Sequence, residues 1–528
     1  MNLITPTHQE LDLRWERAQQ FESNRDIASA RSEYRAILVL DAHHVPALLR
    51  LSRHAQRDGD FHMARSYVMR ASDSVRFANR YRQISFVSLR LLDFAEDAEV
   101  ASVILTADWN NPHVLNQSPM LAQHLWLAGR YEDALRFIGH ALPRVPPNAL
   151  LHYARANVFR FLGRLDDARE AYEATLEINP ELADAHWSLA TLGRARSPLE
   201  RVDRIRRAQS AHGATSEEQA HLYYALFHEL DAAGDVEHAW AALGEGAAIM
   251  AQKFRYDPEA ERRQIEGLMD GDPLPPAEGK SVPGMPIPVF VVGMPRTGTT
   301  LLDRMLGNIP GVSSAGERND LSMAVSEVSN SFFGTLLEER ETRPLSRIDM
   351  QRAGLRYLQR LRQVEPQAVF VIDKNPRNLF SIPLIARALP QARILCLSRN
   401  GRDACFSGFK ELFHGASYPY SYRLDHLAAH WKLAQSWMRH WHARLPGMVK
   451  IVEYEALAVD PGATLECVQD FIGLPRNAAF ADITTNVAPV STASSAQVRE
   501  PVHQRGVGAW RRYAPWLSPI FDSLGLPE

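Results

Sequence analysis

From residue 30 to residue 180 the same small residues return at a step of 34, and that period constrains the first half of the chain more than any single motif. Gly129 in GRYEDALRF and Gly163 in GRLDDAREAY are 34 apart, as are Ala134 and Ala168, Pro146 and Pro180, and, earlier, Ala30 and Ala64. Ala239 in GDVEHAWAAL lies 71 beyond Ala168, close to two steps. Four residues after each of the earlier alanines stands a larger side chain: Tyr34, Val68, Ile138 and Tyr172. Residues four apart share a helix face, so each alanine lets a second helix approach while its partner fills the space beside it. One such helix pair cannot bury its apolar face alone. Pairs therefore stack into a solenoid whose concave surface suits an extended peptide or a partner helix.

This pattern resembles the tetratricopeptide repeat, in degenerate form, because the spacing is kept while several consensus side chains are replaced. A solenoid over residues 1–270 is expected. Its groove either receives a protein partner or serves as a scaffold, with a homodimer as one use of such a surface.

With 528 residues and 45% hydrophobic content, the chain has material for two to four domains with full cores. A formal net charge of −3 argues against a broad nucleic-acid surface. Cys396, Cys405 and Cys467 form no CxxC pair and no disulfide framework, which favours a reducing compartment. The first twenty residues lack the apolar centre of a signal peptide, and no window offers about 18 uninterrupted apolar residues. A cytoplasmic protein that neither enters membranes nor binds nucleic acid is expected.

Residues 271–287 are rich in proline and glycine and read as a linker. Beyond it, over 288–528, short β-branched runs at 289–292, 369–372, 394–397 and 449–452 alternate with helical stretches, the pattern of a parallel sheet covered on both faces. Ligands bind such sheets at the carboxyl ends of the strands, and each run ends in polar residues: GMPRTGTT, DKNPRN, SRNGRD and EYEAL. The first, PVFVVGMPRTGTTLLDRML, is strand, glycine turn and helix start. Gly293, Gly298 and Thr300 overlay the phosphate-binding spacing GxxxxGK[ST], with Thr299 in place of the lysine that reaches a γ-phosphate. The loop suits a phosphate but is poorly equipped to split ATP, which argues against a kinase.

Taken together, these segments resemble the sulfotransferase superfamily, within it the tyrosylprotein branch and bacterial enzymes with N-terminal tetratricopeptide repeats. The resemblance implies a P-loop-like three-layer α/β domain following the all-α solenoid, and 3′-phosphoadenosine 5′-phosphosulfate (PAPS) as sulfuryl donor, with no metal. It assigns Arg296, Thr297, Gly298, Thr299 and Thr300 to the 5′-phosphosulfate, and Arg399 and Ser407 to the 3′-phosphate. A basic residue that some relatives carry four places after the serine is Glu411 here, with Lys410 beside it. Tyr454 falls at a cofactor-contacting tyrosine. In the closing segment SSAQVREPVHQRGVGAWRRY, Gln497, Arg505 and Trp510 are assigned to the nucleotide, although the glycine after Gly506 comes one residue early.

The same resemblance makes Glu317 in SSAGERNDL the general base, and Arg296, Lys374 and Ser494 the groups that stabilise charge as the S–O bond breaks. A phenol has a reference pKa of about 10 and needs a positioned base, so a glutamate here tilts the acceptor towards a tyrosine of a peptide or protein. A small phenol or carbohydrate is the alternative acceptor, and a non-catalytic repeat adaptor with a nucleotide-binding α/β domain is the alternative from another class. His426 and His430 share a helix face at a metal-ligand spacing, but no third ligand accompanies them. Trp431, Trp437 and Trp441 read as core.

Overall fold

The computed structural model describes residues 6–193, 198–271, 282–334, 348–413, 415, 417–492 and 494–528. The chain divides into two compact units: Met1–Val158 with Asn319–Gly334, and Phe159–Arg318 with Thr335–Glu528.

The first unit is helical. Its pairs are Pro6–Ser23 with Ile27–Leu40, Val45–Arg57 with Phe61–Phe77, Ile84–Leu92 with Asp97–Leu105, and Ser118–Leu127 with Tyr131–Ala141. Ala30, Ala64 and Ala134 are wholly buried at corresponding places in the second helices. In the third pair that place belongs to Val100, also buried, so the alanine signal skips a repeat that the structure contains. Aspartates set two of the starts: Asp26 accepts from the Ser29 N–H and Asp60 from the Met63 N–H, filling orphan donors of the first turn. A segment from the other half of the sequence completes this unit. The helix Asp320–Ser329 is followed by Asn330, whose Oδ1 accepts from the His62 N–H at 2.8 Å, and by Phe332, whose ring lies 5.3 Å from that of Phe61.

In the second unit, helices Leu165–Ile178, Ala183–Thr191, Pro198–Gln209, Glu217–Ala233, Val236–Lys253 and Pro258–Asp270 precede the sheet. Much of the expected linker, residues 272–281, lies outside the described residues. Five parallel strands follow: β1 (Ile287–Gly293), β2 (Val312–Ser314), β3 (Phe370–Lys374), β4 (Arg393–Ser398) and β5 (Val449–Glu453), in the order β2-β3-β1-β4-β5. Four of them match the apolar runs read from the sequence. The fifth, β2, is a three-residue edge strand, VSS, with too few apolar side chains to leave a periodic signal.

Side chains alternate across the sheet. Val289, Val291, Ile372, Leu395 and Leu397 share a core with Leu302, Met305 and Leu306 of the helix Thr299–Leu306. On the opposite face Phe290 stacks on Tyr357 at 5.6 Å. The chain leaves β1 towards β2 on one side and later reaches β4 on the other, so β1 stands at a topological switch point, where the strand ends open a crevice. The helices Glu217–Ala233 and Val236–Lys253 pack on the sheet-bearing part of the same unit. The Tyr224 hydroxyl donates to the Phe409 carbonyl at 3.3 Å, and Trp240 stacks on Trp516 at 5.9 Å. Among the described residues no helix is long and apolar enough to cross a membrane.

Candidate functional site

The glycine loop between β1 and its helix is shaped by three residues with positive φ: Gly293 at 149°, Arg296 at 70° and Gly298 at 99°. A Cβ on Gly293 would lie 2.7 Å from the Leu397 carbonyl oxygen, and one on Gly298 would lie 2.6 Å from Cδ2 of Tyr454. Glycine is therefore required by both torsion and contact. Gly298 caps the helix Thr299–Leu306, whose first turn presents the unpaired N–H groups that suit an anion. The Thr297 hydroxyl, buried, donates to the Met294 carbonyl at 2.7 Å and braces the turn.

Arg296 projects from this strained position into a polar shell. Its Nη1 donates to Ser494 Oγ at 2.5 Å and its Nη2 to Gln497 Oε1 at 3.0 Å. Its Nε is buried without a hydrogen bond, 3.8 Å from Glu411 Oε2. The Glu411 side chain is 12% exposed, and desolvation pushes its carboxyl above the usual range, opposed by Arg296, Arg160 and Lys410. Lys410 is pushed down to about 8 by burial and by Arg296.

Arg399 directly follows β4 and is 6% exposed. Its Nη1 donates to the Arg296 carbonyl at 2.6 Å and its Nη2 to that of Gly506 at 2.5 Å, while its guanidinium sits 4.5 Å over the Tyr454 ring. Its Nε is also buried without a hydrogen bond, and burial lowers its pKa from the ordinary guanidinium value. Trp431, read from the sequence as core, donates its indole N–H to the Arg399 carbonyl at 3.0 Å and so fixes this strand end. Asn400 then caps the next helix, Gly401–Phe409, which carries the buried Ser407.

At the end of β3, Lys374 is almost wholly buried and its Nζ lies 2.5 Å from Glu317 Oε1. β2 accounts for this meeting. The Ala315 N–H donates to the Ile372 carbonyl at 2.9 Å, Gly316 turns the chain with φ 73°, and its carbonyl accepts from the Lys374 N–H at 3.0 Å. The Glu317 side chain remains 40% exposed, open to an incoming group. Beside it burial pushes the Tyr418 phenol up, with Glu317 adding to the effect.

Of the residues singled out from the sequence, Arg296, Gly298, Thr299, Thr300, Arg399, Tyr454, Ser494 and Gln497 line one cleft. Thr297, Glu317, Lys374, Ser407, Arg505 and Trp510 are outside its lining. Arg505 points outward and pairs with Glu500. Trp510 is buried beneath Arg402, whose guanidinium lies 4.9 Å over its ring, and meets Phe521 at 5.9 Å. His430 hydrogen-bonds to Glu261 Oε2 at 2.8 Å and stacks on Tyr420 at 3.7 Å.

Sequence reasoning missed Glu500 and His503 in the cleft wall. It also missed Asp403, whose two carboxylate oxygens accept from the N–H groups of Gly508 (2.6 Å) and Trp510 (3.2 Å). An aspartate three residues into a helix has the signature of a first-turn carboxylate, and only the folded chain shows that it anchors the closing segment. Chemically, two largely buried guanidinium groups, Arg296 and Arg399, flank a helix N-terminus. Such a cleft favours an elongated ligand with anionic groups at two points.

Residues 288–478 match the model of the sulfotransferase family, and residues 149–182 that of the tetratricopeptide repeat. An uncharacterized protein of Aquifex aeolicus (strain VF5) is 23% identical over 448 residues, which is 83% of this chain and 57% of that protein. The chain thus spans little more than half the length of that relative. Among solved structures, the sulfotransferase domain of the Synechococcus PCC 7002 olefin synthase aligns with 18% identity and a TM-score of 0.32 over 46% of this chain and 91% of its own. A sulfotransferase from Mycobacterium tuberculosis H37Rv aligns with 16% identity and a TM-score of 0.27 over 56% of this chain and 97% of its own.

Proposed function

We propose that the chain is a PAPS-dependent sulfotransferase whose acceptor is the hydroxyl of a tyrosine in a peptide or protein. The observation that carries the proposal is the setting of Arg296: a guanidinium held by Ser494 and Gln497 beside a glycine loop, with Nε left without a hydrogen bond. The match of residues 288–478 to the sulfotransferase family supports it.

The residues present fit the donor. Arg296 and Arg399 each carry an Nε without a hydrogen bond, that of Arg296 facing Glu411 at 3.8 Å, and at Gly298 a Cβ would collide with the Tyr454 ring that lines the same cleft. Arg296, Thr297, Gly298, Thr299 and Thr300 would hold the 5′-phosphosulfate, Arg399 and Ser407 the 3′-phosphate, and Tyr454 and Gln497 the nucleotide, while Trp510, buried beneath Arg402, would support the closing segment from behind. Arg505 would join them on leaving Glu500. When bound, PAPS supplies an activated sulfuryl group.

Glu317 takes the proton from the acceptor hydroxyl at its exposed carboxylate, which is the service a phenol needs near neutral pH. Lys374, held by Glu317, and Ser494, held by Arg296, present N–H and O–H donors to developing negative charge. Preorganised donors of this kind lower a barrier because they need no reorientation during reaction. The repeats would recruit the acceptor, and three free cysteines, two of them buried, fit a cytoplasmic enzyme.

The test is calorimetric binding of adenosine 3′,5′-bisphosphate against ATP, followed by transfer from radiolabelled PAPS to tyrosine peptides, phenols and carbohydrates. Binding of the bisphosphate but not ATP, with label on tyrosine, is expected. Label on a small phenol or sugar would replace the acceptor, binding without any transfer would favour the adaptor, and ATP binding would overturn the proposal.

A further inference from the structure

The wall of the cleft that holds Arg296 is itself held by a residue of the repeat helices. Arg160 belongs to the helix Ala149–Phe161, within the region that matches the tetratricopeptide repeat, and is 6% exposed. Its Nε donates to Ser495 Oγ at 3.0 Å, a contact buried on both sides, and its Nη1 donates to Thr191 Oγ1 at 3.1 Å. Ser495, also wholly buried, is the neighbour of Ser494, the acceptor for Arg296 Nη1.

The same turn grips the segment at two further points. The Phe161 carbonyl accepts from the Val490 N–H at 2.9 Å and from Arg499 Nη2 at 3.2 Å. Gly163 has φ 79°, and a Cβ there would lie 2.6 Å from Arg499 Nε, so this repeat glycine leaves room for that side chain. Arg499 in turn donates to the Ala488 carbonyl at 2.9 Å, and Arg304, from the helix after the glycine loop, donates to the same carbonyl at 2.7 Å. Residues 486–492 and 494–499 are thus fastened between a repeat turn and the phosphate-loop helix.

A solenoid that only recruited substrate would not need a buried arginine against the catalytic segment. Burying a guanidinium costs free energy unless its hydrogen bonds are made, and this one makes them to the serine next to the cleft. We infer that Arg160 is a positioning residue for the sulfuryl-donor cleft, acting through Ser495 and Ser494 on Arg296, so that the repeat region completes the donor site. The inference rests on the donor reading given above.

The test uses the full chain with Arg160→Met, Arg160→Lys, Ser495→Ala and Ser494→Ala. In Arg160→Met, PAPS is expected to bind about tenfold more weakly, as for loss of one charge-assisted hydrogen bond. Arg160→Lys, which keeps a donor, restores part of that loss, and Ser495→Ala, which removes the acceptor of Arg160 Nε, reproduces most of it, with circular dichroism showing that each variant is folded. Combining Arg160→Met with Ser494→Ala adds little to Ser494→Ala alone, because both act on one anchor; a purely structural role gives additive losses instead. Unchanged PAPS binding in Arg160→Met, or additivity, would overturn the inference. If the wild type binds no PAPS, the donor reading fails. The positioning contact is then judged by amide exchange of residues 490–500 in the ligand-free protein, where faster exchange in Arg160→Met upholds it and unchanged exchange rejects it.

Discussion

Lys374 and Glu317 meet at 2.5 Å from the ends of two adjacent parallel strands, one side chain buried and the other 40% exposed. The asymmetry matters. The buried ammonium is fixed by the sheet, while the carboxylate keeps a face towards solvent where an acceptor hydroxyl can approach. Glu317→Gln is expected to lower turnover by about 10²–10⁴-fold, the usual contribution of a general base, with PAPS affinity within about twofold of wild type. Radiolabel transfer and calorimetry on the same preparation check both halves, and undiminished turnover would remove Glu317 from the base role.

Arg399 spans two parts of the cleft, tied to the carbonyls of Arg296 and Gly506 and lying over Tyr454. Arg399→Ala should weaken adenosine 3′,5′-bisphosphate by about 10–100-fold, in line with a charge-assisted hydrogen bond. Tyr454→Leu should cost less, about two- to fivefold, since an aromatic face under a cation contributes about 0.5–1 kcal/mol. Calorimetric titration of the two variants side by side tests the ranking. A greater loss in Tyr454→Leu would reverse it.

Gly298 joins a φ of 99° to a close approach by Tyr454. Gly298→Ala should destabilise the protein by about 1–3 kcal/mol and abolish bisphosphate binding, because the loop must shift to relieve both torsion and contact. Gly316→Ala provides the contrast: φ is positive there as well, but nothing lies near its Cβ, so donor binding should survive. Denaturant melts and titrations on both variants decide the matter, and normal bisphosphate binding in Gly298→Ala would show that the cradle tolerates a side chain.

Lys410 carries the pH dependence. Burial and the charge of Arg296 lower its pKa from the ordinary 10.5 to about 8, Arg399 acts in the same sense, and Asp231 and Glu411 oppose them. Between pH 8 and 10.5 the unfolded chain binds the extra proton, so this group's penalty is full below pH 8 and fades as pH rises to 10.5. Lys410→Met should therefore be more stable than wild type at pH 7, with the advantage shrinking above pH 8. Comparing the two proteins cancels the opposing effect of buried Cys396 and Cys405, whose thiols burial pushes up. Denaturation midpoints at pH 7 and pH 10 test this; a constant difference would place the Lys410 pKa at its ordinary value.

The sequence by itself determined what depends on short-range spacing. The 34-residue step, the four apolar strands, and the glycine loop with its helix are written in neighbours along the chain, because helix and strand periods are local properties of the backbone. Only tertiary structure decided which distant groups meet. Val100 hides one repeat from the alanine pattern, and VSS hides β2, yet β2 is what carries Glu317 to Lys374. Arg505 turns to Glu500, Trp510 is covered by Arg402, and Arg160 reaches Ser495 across more than three hundred residues. Such pairings have no period: they follow from parallel strand order and from repeat helices packed in the same unit as the sheet, which bring together side chains that the sequence keeps far apart.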